Sequence, residues 1–121
     1  MHEMAIAWQI VEQSLRIAAE HGAGRILEVR IEVGAMRSVV PEALEMAFTV
    51  CSEGTAAEGA RLHVTTVTPR ARCNPCGREF EPQYGFFACP GCGQADVEIL
   101  AGQEILLKGL ECRSPQEAVD P

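Results

Sequence analysis

No run in this 121-residue chain approaches the roughly eighteen consecutive apolar residues that a membrane-spanning helix needs, so no membrane role is expected. The start, Met1-His2-Glu3-Met4, lacks the basic, then apolar, then small-residue layout of a secretory signal. With cysteines at metal-ligand spacing, that makes a reducing cytoplasm the expected compartment. Positive charge is scarce: 10 Lys and Arg stand against 17 Asp and Glu, for a formal net charge of −7. None of the segments 1–69, 70–96 and 97–121 is net positive, whereas a nucleic-acid binder displaces counterions with a basic stripe, so protein or metal partners fit better. No hydrolytic motif, catalytic triad or phosphate-binding loop is present, and the chain is not read as an enzyme. Histidine occurs three times, as His2, His21 and His63.

What is present is enough for a core. Apolar residues make up 47% and charged residues 22%, which argues against wholesale disorder and suits one compact domain with a small appendage. The most informative feature is a pair of knuckles, Cys73-Asn74-Pro75-Cys76 and Cys89-Pro90-Gly91-Cys92. Two residues inside each pair let both sulfurs reach one ion, and the segment between the pairs can form the hairpin that closes a tetrahedral centre. Gly77 and Gly93, each just after a pair, suit the tight turns that bring backbone N–H groups to thiolate sulfur. Four thiolates fill the shell of Zn2+ and leave no position for a substrate water, so the site reads as a structural staple.

Around the knuckles, the periodicities give an α+β chain. Residues 4–20 read as an amphipathic helix with Met4, Trp8, Val11, Leu15 and Ala18 on its apolar stripe, ended by Gly22 and Gly24. Residues 25–33 alternate as a strand, with Leu27, Val29, Ile31 and Val33 on the buried side. Pro41 and Glu42 open a second helix whose stripe is Leu44, Phe48 and Cys51, flanked by Met46 and Val50. A second strand runs from Leu62 to Val67 and stops at Pro69; a third covers Glu104 to Glu111. The ribbon between them draws its apolar bulk from Phe80, Tyr84, Phe86 and Phe87. Cys51 is expected as a small core residue, Cys112 as an exposed one, and Trp8 as a core anchor or a partner contact.

Several segments, taken in order, resemble the HypA/HybF family, the nickel metallochaperones of [NiFe]-hydrogenase maturation. They are Met1-His2-Glu3, Ile31-Glu32-Val33-Gly34, Val39-Val40-Pro41-Glu42-Ala43-Leu44 with Phe48, Glu53-Gly54-Thr55, the two cysteine knuckles, and Gly102-Gln103-Glu104-Ile105. The resemblance implies two helices packed on a three-stranded sheet, a nickel-binding domain of residues 1–69 plus 97–112, a zinc ribbon of residues 70–96 held by Cys73, Cys76, Cys89 and Cys92, and a frayed tail at 113–121. It further implies nickel as cargo at the N-terminus, with His2 the essential ligand and Glu3 a neighbour in the site. The implied partners are a HypB-type GTPase and the hydrogenase large-subunit precursor; in some organisms urease maturation is also served.

The first three residues also make chemical sense by themselves. Bulky His2 leaves Met1 untrimmed, so the free α-amine, the amide nitrogens of His2 and Glu3, and the His2 imidazole offer nitrogen donors in a plane. Tetragonal nitrogen sites suit Ni2+ or Cu2+, whereas a thiolate cage suits zinc. Amine and imidazole must lose protons to bind, so affinity should fall on mild acidification. Taken alone, His2-Glu3 is most often just the solvated start of a helix, with Glu3 favourable near its positive end. A zinc-ribbon adaptor, a nucleic-acid-binding ribbon and a thiol oxidoreductase therefore stand as alternatives without nickel. Because the ribbon has no histidine, a family member that recruits one to nickel is not the template for this chain.

Overall fold

The computed structural model describes residues 2–83 and 87–114. Its elements are helix α1 (Glu3–Glu20), strand β1 (Ile26–Gly34), a short 3-10 turn (Ala35–Arg37), helix α2 (Pro41–Ser52), and strands β2 (Arg61–Val67), β3 (Arg70–Cys73), β4 (Glu79–Phe80), β5 (Val97–Ala101) and β6 (Ile105–Cys112). They form two three-stranded sheets, ordered β2-β1-β6 and β4-β3-β5. This is the expected α+β architecture of two helices, a three-stranded sheet and a cysteine ribbon. The chain divides into two compact units, residues 1–31, 39–65 and 106–121 in one, and 32–38 and 66–105 in the other.

In the helix-bearing unit, α1 starts with Glu3 in its first turn, where a carboxylate favours the positive end of the helix dipole. It stops in a Schellman arrangement: Gly22 takes φ +65°, its amide donates to the Ala19 carbonyl (3.1 Å), and the Ala23 amide donates to Ala18 (2.9 Å). His21 completes the end, its Nδ1 lying 2.9 Å from the Ile17 carbonyl. Helix α2 begins on Pro41, whose missing N–H costs nothing in a first turn.

The buried face of α1 differs from the expected stripe. Ile6, Ala7, Ile10, Val11, Ser14 and Ala18 are buried, whereas Met4 and Trp8 are more than half exposed. Both stripes recur at three- and four-residue steps, and close packing of α1 against α2 selects the one carrying the small residues Ala7, Ser14 and Ala18. On α2, Leu44, Ala47, Phe48 and Ser52 are buried, while Met46 and Val50 face solvent and Cys51 is half-buried rather than a core residue. On β1, Val29, Ile31 and Val33 are buried as expected. At the strand's start, however, Ile26 is buried and Leu27 is exposed; the Ile26 amide donates to the Ala56 carbonyl (2.9 Å) in the segment between α2 and β2, which holds Ile26 inward.

The second unit is held by short antiparallel pairings. Strand β3 pairs with β4 through Ala71↔Phe80 and Arg72↔Glu79, and with β5 through Ala71↔Ile99, Arg72↔Glu98 and Cys73↔Val97. The β5 partner is a strand that the sequence pattern did not reveal. One face carries the core, Ala71, Cys73, Phe80 and Cys89 with Val97 and Ile99 packed on it. The opposite face carries cross-strand ion pairs, Arg72–Glu98 (3.0 Å) and Arg70–Glu79 (3.4 Å). Tyr84 and Phe86, expected in the ribbon's apolar bulk, lie outside the described residues, as does the tail from 115 onward.

A backbone crossing in this unit requires glycine. The Gly34 amide donates to the Glu104 carbonyl (2.7 Å) and the Met36 amide to Gly102 (2.8 Å). A Cβ on Gly34 would lie 2.2 Å from the Gly102 carbonyl atoms, and one on Gly102, whose φ is +101°, would meet Pro69 at 2.5 Å.

Candidate metal centre

The two knuckles are built alike. In the first, the Cys73 amide donates to the Arg78 carbonyl (2.8 Å) and the Gly77 amide returns to the Cys73 carbonyl (2.7 Å). In the second, Cys89 donates to Gln94 (2.8 Å) and Gly93 returns to Cys89 (2.8 Å). Gly77 and Gly93 take φ of 77° and 75°, a conformation that L side chains rarely adopt, so the glycine after each pair is what lets the loop close. Asn74 fastens the first knuckle to the approach of β5: its amide donates to the Asp96 carbonyl (2.9 Å) and its Nδ2 to Asp96 Oδ1 (3.0 Å).

This local repetition brings the four expected sulfurs together. The Sγ atoms of Cys73, Cys76, Cys89 and Cys92 lie within 4.8 Å of one another. Cys73 is 3.4 Å from Cys92 and Cys76 is 3.7 Å from Cys89, so the close pairs run between knuckles. A tetrahedral ion with sulfur ligands at about 2.3 Å holds its sulfurs about 3.8 Å apart, and the observed spacing fits such an ion. Cys73 and Cys89 are buried and Cys76 and Cys92 exposed; each knuckle contributes one of each, and none of the four is in a disulfide.

The surroundings grade the thiols. Burial pushes the Cys73 thiol up to about 12, despite the opposing Cys76 N–H. Burial also opposes ionisation of Cys89, but there the Cys92 and Gly91 N–H groups and the neighbouring thiols stabilise the thiolate, and its pKa falls to about 7. The Gly91 amide points at Cys89 Sγ from 3.4 Å. Cys89 thus ionises more readily than Cys73.

At the other candidate site, His2 is exposed at the N-cap of α1, with no side-chain capping bond. Its carbonyl accepts the first helical bond, from Ile6 (3.1 Å). Glu3 is half-buried; its Oε2 accepts a bond from the Val40 amide (3.2 Å). That bond, followed by one from its own backbone amide, holds the carboxyl below the usual range. Among the described residues, His2 and Glu3 do not gather with a third His, Cys, Asp or Glu donor. Met1, whose amine was expected to contribute, lies outside them. His2, Glu3, Met4, Ala5, Trp8 and Cys51 line one open cleft of about 780 Å³. Sequence reasoning missed Cys51 here, because 47 residues separate it from Met4 and nothing in its spacing marks it.

The remaining singled-out residues are accounted for locally. His63 Nε2 pairs with Glu28 Oε1 at 2.6 Å. Cys112, expected to be exposed or frayed, is half-buried in β6 because the strand continues through it.

Fold and centre together define a small metal-site protein: a helix-bearing α+β unit, and a ribbon whose four converging thiols form a closed ligand set. The chain matches, over residues 1–112, the family described as hydrogenase/urease nickel incorporation, metallochaperone, hypA. It is similar to the hydrogenase maturation factors HypA of Geobacter sulfurreducens (43% identical over 112 residues) and Geobacter metallireducens (40% over 111 residues), covering 92% of this chain and 98% of each relative. The solution structure of the Ni metallochaperone HypA from Helicobacter pylori has the same fold, with a TM-score of 0.70 at 22% identity, covering 94% of this chain and 99% of that one. The chain belongs to the HypA family of nickel metallochaperones in hydrogenase maturation.

Proposed function

We propose that this chain carries nickel for hydrogenase maturation, taking Ni2+ at Met1-His2-Glu3 and holding Zn2+ permanently at Cys73, Cys76, Cys89 and Cys92. The observation that carries the nickel half is the exposed His2 imidazole at the start of α1, in a chain that matches the metallochaperone family from its first residue. An α-helix leaves its first amide groups without intrahelical partners, so the amides of His2 and Glu3 can become ligands without breaking a helical bond. Glu3 anchors the loop before α2 through Val40 and supplies negative charge beside the ion. Four converging thiols support zinc, the ion that prefers a closed tetrahedral sulfur set.

In this reading the cargo passes with a HypB-type GTPase to the hydrogenase large-subunit precursor, with urease maturation as a further recipient in some organisms. GTP hydrolysis belongs to the partner; this chain contributes binding and release, in the cytoplasm. The absence of any net-positive segment leaves nucleic acid outside the partner set.

Calorimetric metal titration with total-metal analysis tests this, on untagged protein and on His2→Ala. Trp8, the only tryptophan, lines the terminal cleft, so its fluorescence reports binding there. Zinc retained by both proteins, with nickel bound and Trp8 quenched only in the wild type, is the expected result. Identical nickel binding by both would leave a zinc-ribbon adaptor as the better description.

A further inference from the structure

Two sulfur atoms from distant parts of the chain meet beside the amino-terminal cleft. Cys51 Sγ on α2 lies 3.4 Å from Met4 Sδ and 3.9 Å from the Met4 carbonyl oxygen on α1. Neither residue is packed away: Met4 is 54% exposed, and Cys51 is half-buried at the wall of a cleft that also holds His2 and Trp8. Two sulfurs bound to one ion at about 2.3 Å stand about 3.3 to 4.6 Å apart for angles from 90° to 180°, and the observed separation falls in that range. The His2 imidazole lines the same cleft.

We propose that Cys51 and Met4 form a binding site for a soft monovalent cation, with Cu(I) as its ligand class. A thiolate and a thioether together select Cu(I), whereas the nitrogen donors of the terminus select a harder divalent ion. Binding exchanges the Cys51 thiol proton for the ion: the S–H bond breaks, an S–Cu bond forms, the proton leaves to solvent and no oxidation state changes. The exposed Trp8 lines the same cleft, where its fluorescence can sense the ion. This site is separate from the four-thiol centre and does not require that nickel bind at His2.

The test is an anaerobic titration with Cu(I), supplied as its acetonitrile complex against a chromophoric Cu(I) chelator. The protein used has its four-cysteine centre filled, with metal release from that centre and Trp8 fluorescence followed together. Wild type should take one Cu(I), with Trp8 quenched in step and no metal released. Loss of even an outer-shell partner costs about 10- to 100-fold in metal affinity, so Cys51→Ser, which removes a direct ligand, should weaken binding by more than about 100-fold. Met4→Leu, which keeps the thiol and the apolar bulk, should weaken it by roughly 10-fold, and Cys112→Ser should leave it unchanged. Equal Cu(I) affinity in wild type, Cys51→Ser and Met4→Leu would overturn the assignment. So would a first equivalent that displaces metal from the four-cysteine centre.

Discussion

Removing the ion from the four-cysteine centre should unfold that unit and spare the helix-bearing one. The reason lies in what else is buried there. The unit's core is Ala71, Cys73, Phe80 and Cys89, with Val97 and Ile99 only partly covered, so two of its four buried residues are themselves cysteines of the candidate metal centre. Burying one phenylalanine contributes about 1.5–3 kcal/mol, and two half-covered aliphatic side chains add a similar amount. A structural zinc in a small peptide contributes roughly 10–16 kcal/mol. The metal term is therefore the larger, by roughly 1.7- to 5-fold, and strands β3, β4 and β5 are not expected to stand on their remaining contacts. The measurement is hydrogen exchange with limited trypsin digestion, with and without a strong chelator. On chelation, the amides of Arg70–Cys73 and Val97–Ala101 should lose protection and the bonds after Arg70, Arg72 and Arg78 should open to trypsin, while α1 and α2 stay protected. Cys89→Ser should reproduce this without chelator. Undiminished protection of β3 in the metal-free chain would refute the reasoning.

Ser14 is fully buried in α1, and its hydroxyl has no partner among the described residues; Ser14→Ala should stabilise the chain by about 1 kcal/mol, read from urea midpoints, and a loss of that size would contradict it. Gly34→Ala should cost more than about 3 kcal/mol because its Cβ meets backbone atoms at 2.2 Å, whereas Gly22→Ala, strained only in φ with nothing within 4 Å, should cost about 1 kcal/mol; equal melting shifts would discount the crossing. The Glu3 carboxyl, held below its usual range first by the Val40 amide, gives stability that is present above the ordinary carboxylate pKa and is lost as pH falls through the lower folded value. Glu3→Gln should therefore be less stable than wild type near neutrality and equal to it in strong acid; a gap independent of pH would point to another cause.

The fold was largely legible because its signals are local. Proline at the start of α2, glycine after α1, alternation in β1 from Val29 onward and the knuckle spacing each act within a few residues, and each appears where the pattern places it. What stayed hidden depends on choices between equivalent patterns or on distant pairing. Helix α1 is apolar on more than one face, so periodicity alone could not decide between Met4–Trp8 and Ile6–Ile10; contact with α2 decides it. Strand β5 is short and has no fully buried residue, and its identity comes from pairing with β3, a contact spanning more than twenty positions. Cys51 and Met4 likewise come together only through helix packing. The cysteine quartet could be read in advance because its ligands come as two local pairs, and closing them needs only a hairpin.

The two proposed metal sites would differ in how binding couples to folding, and this difference would separate a resident ion from cargo. In the ribbon, losing a bound ion would remove the principal source of order in β3, β4 and β5, so dissociation would carry the cost of unfolding and be correspondingly rare. At the amino terminus every proposed donor lies within three consecutive residues, before or at the first turn of a helix that is already ended by its own Schellman arrangement and packed through Ile6, Ala7, Ile10 and Val11. An ion can leave there without disturbing any of those contacts. Its release costs only the ligand bonds themselves, which a recipient offering more or better-placed donors replaces one at a time. A site meant for transfer is therefore expected at an exposed chain end with few donors, and a site meant to last where the ligands are also the core.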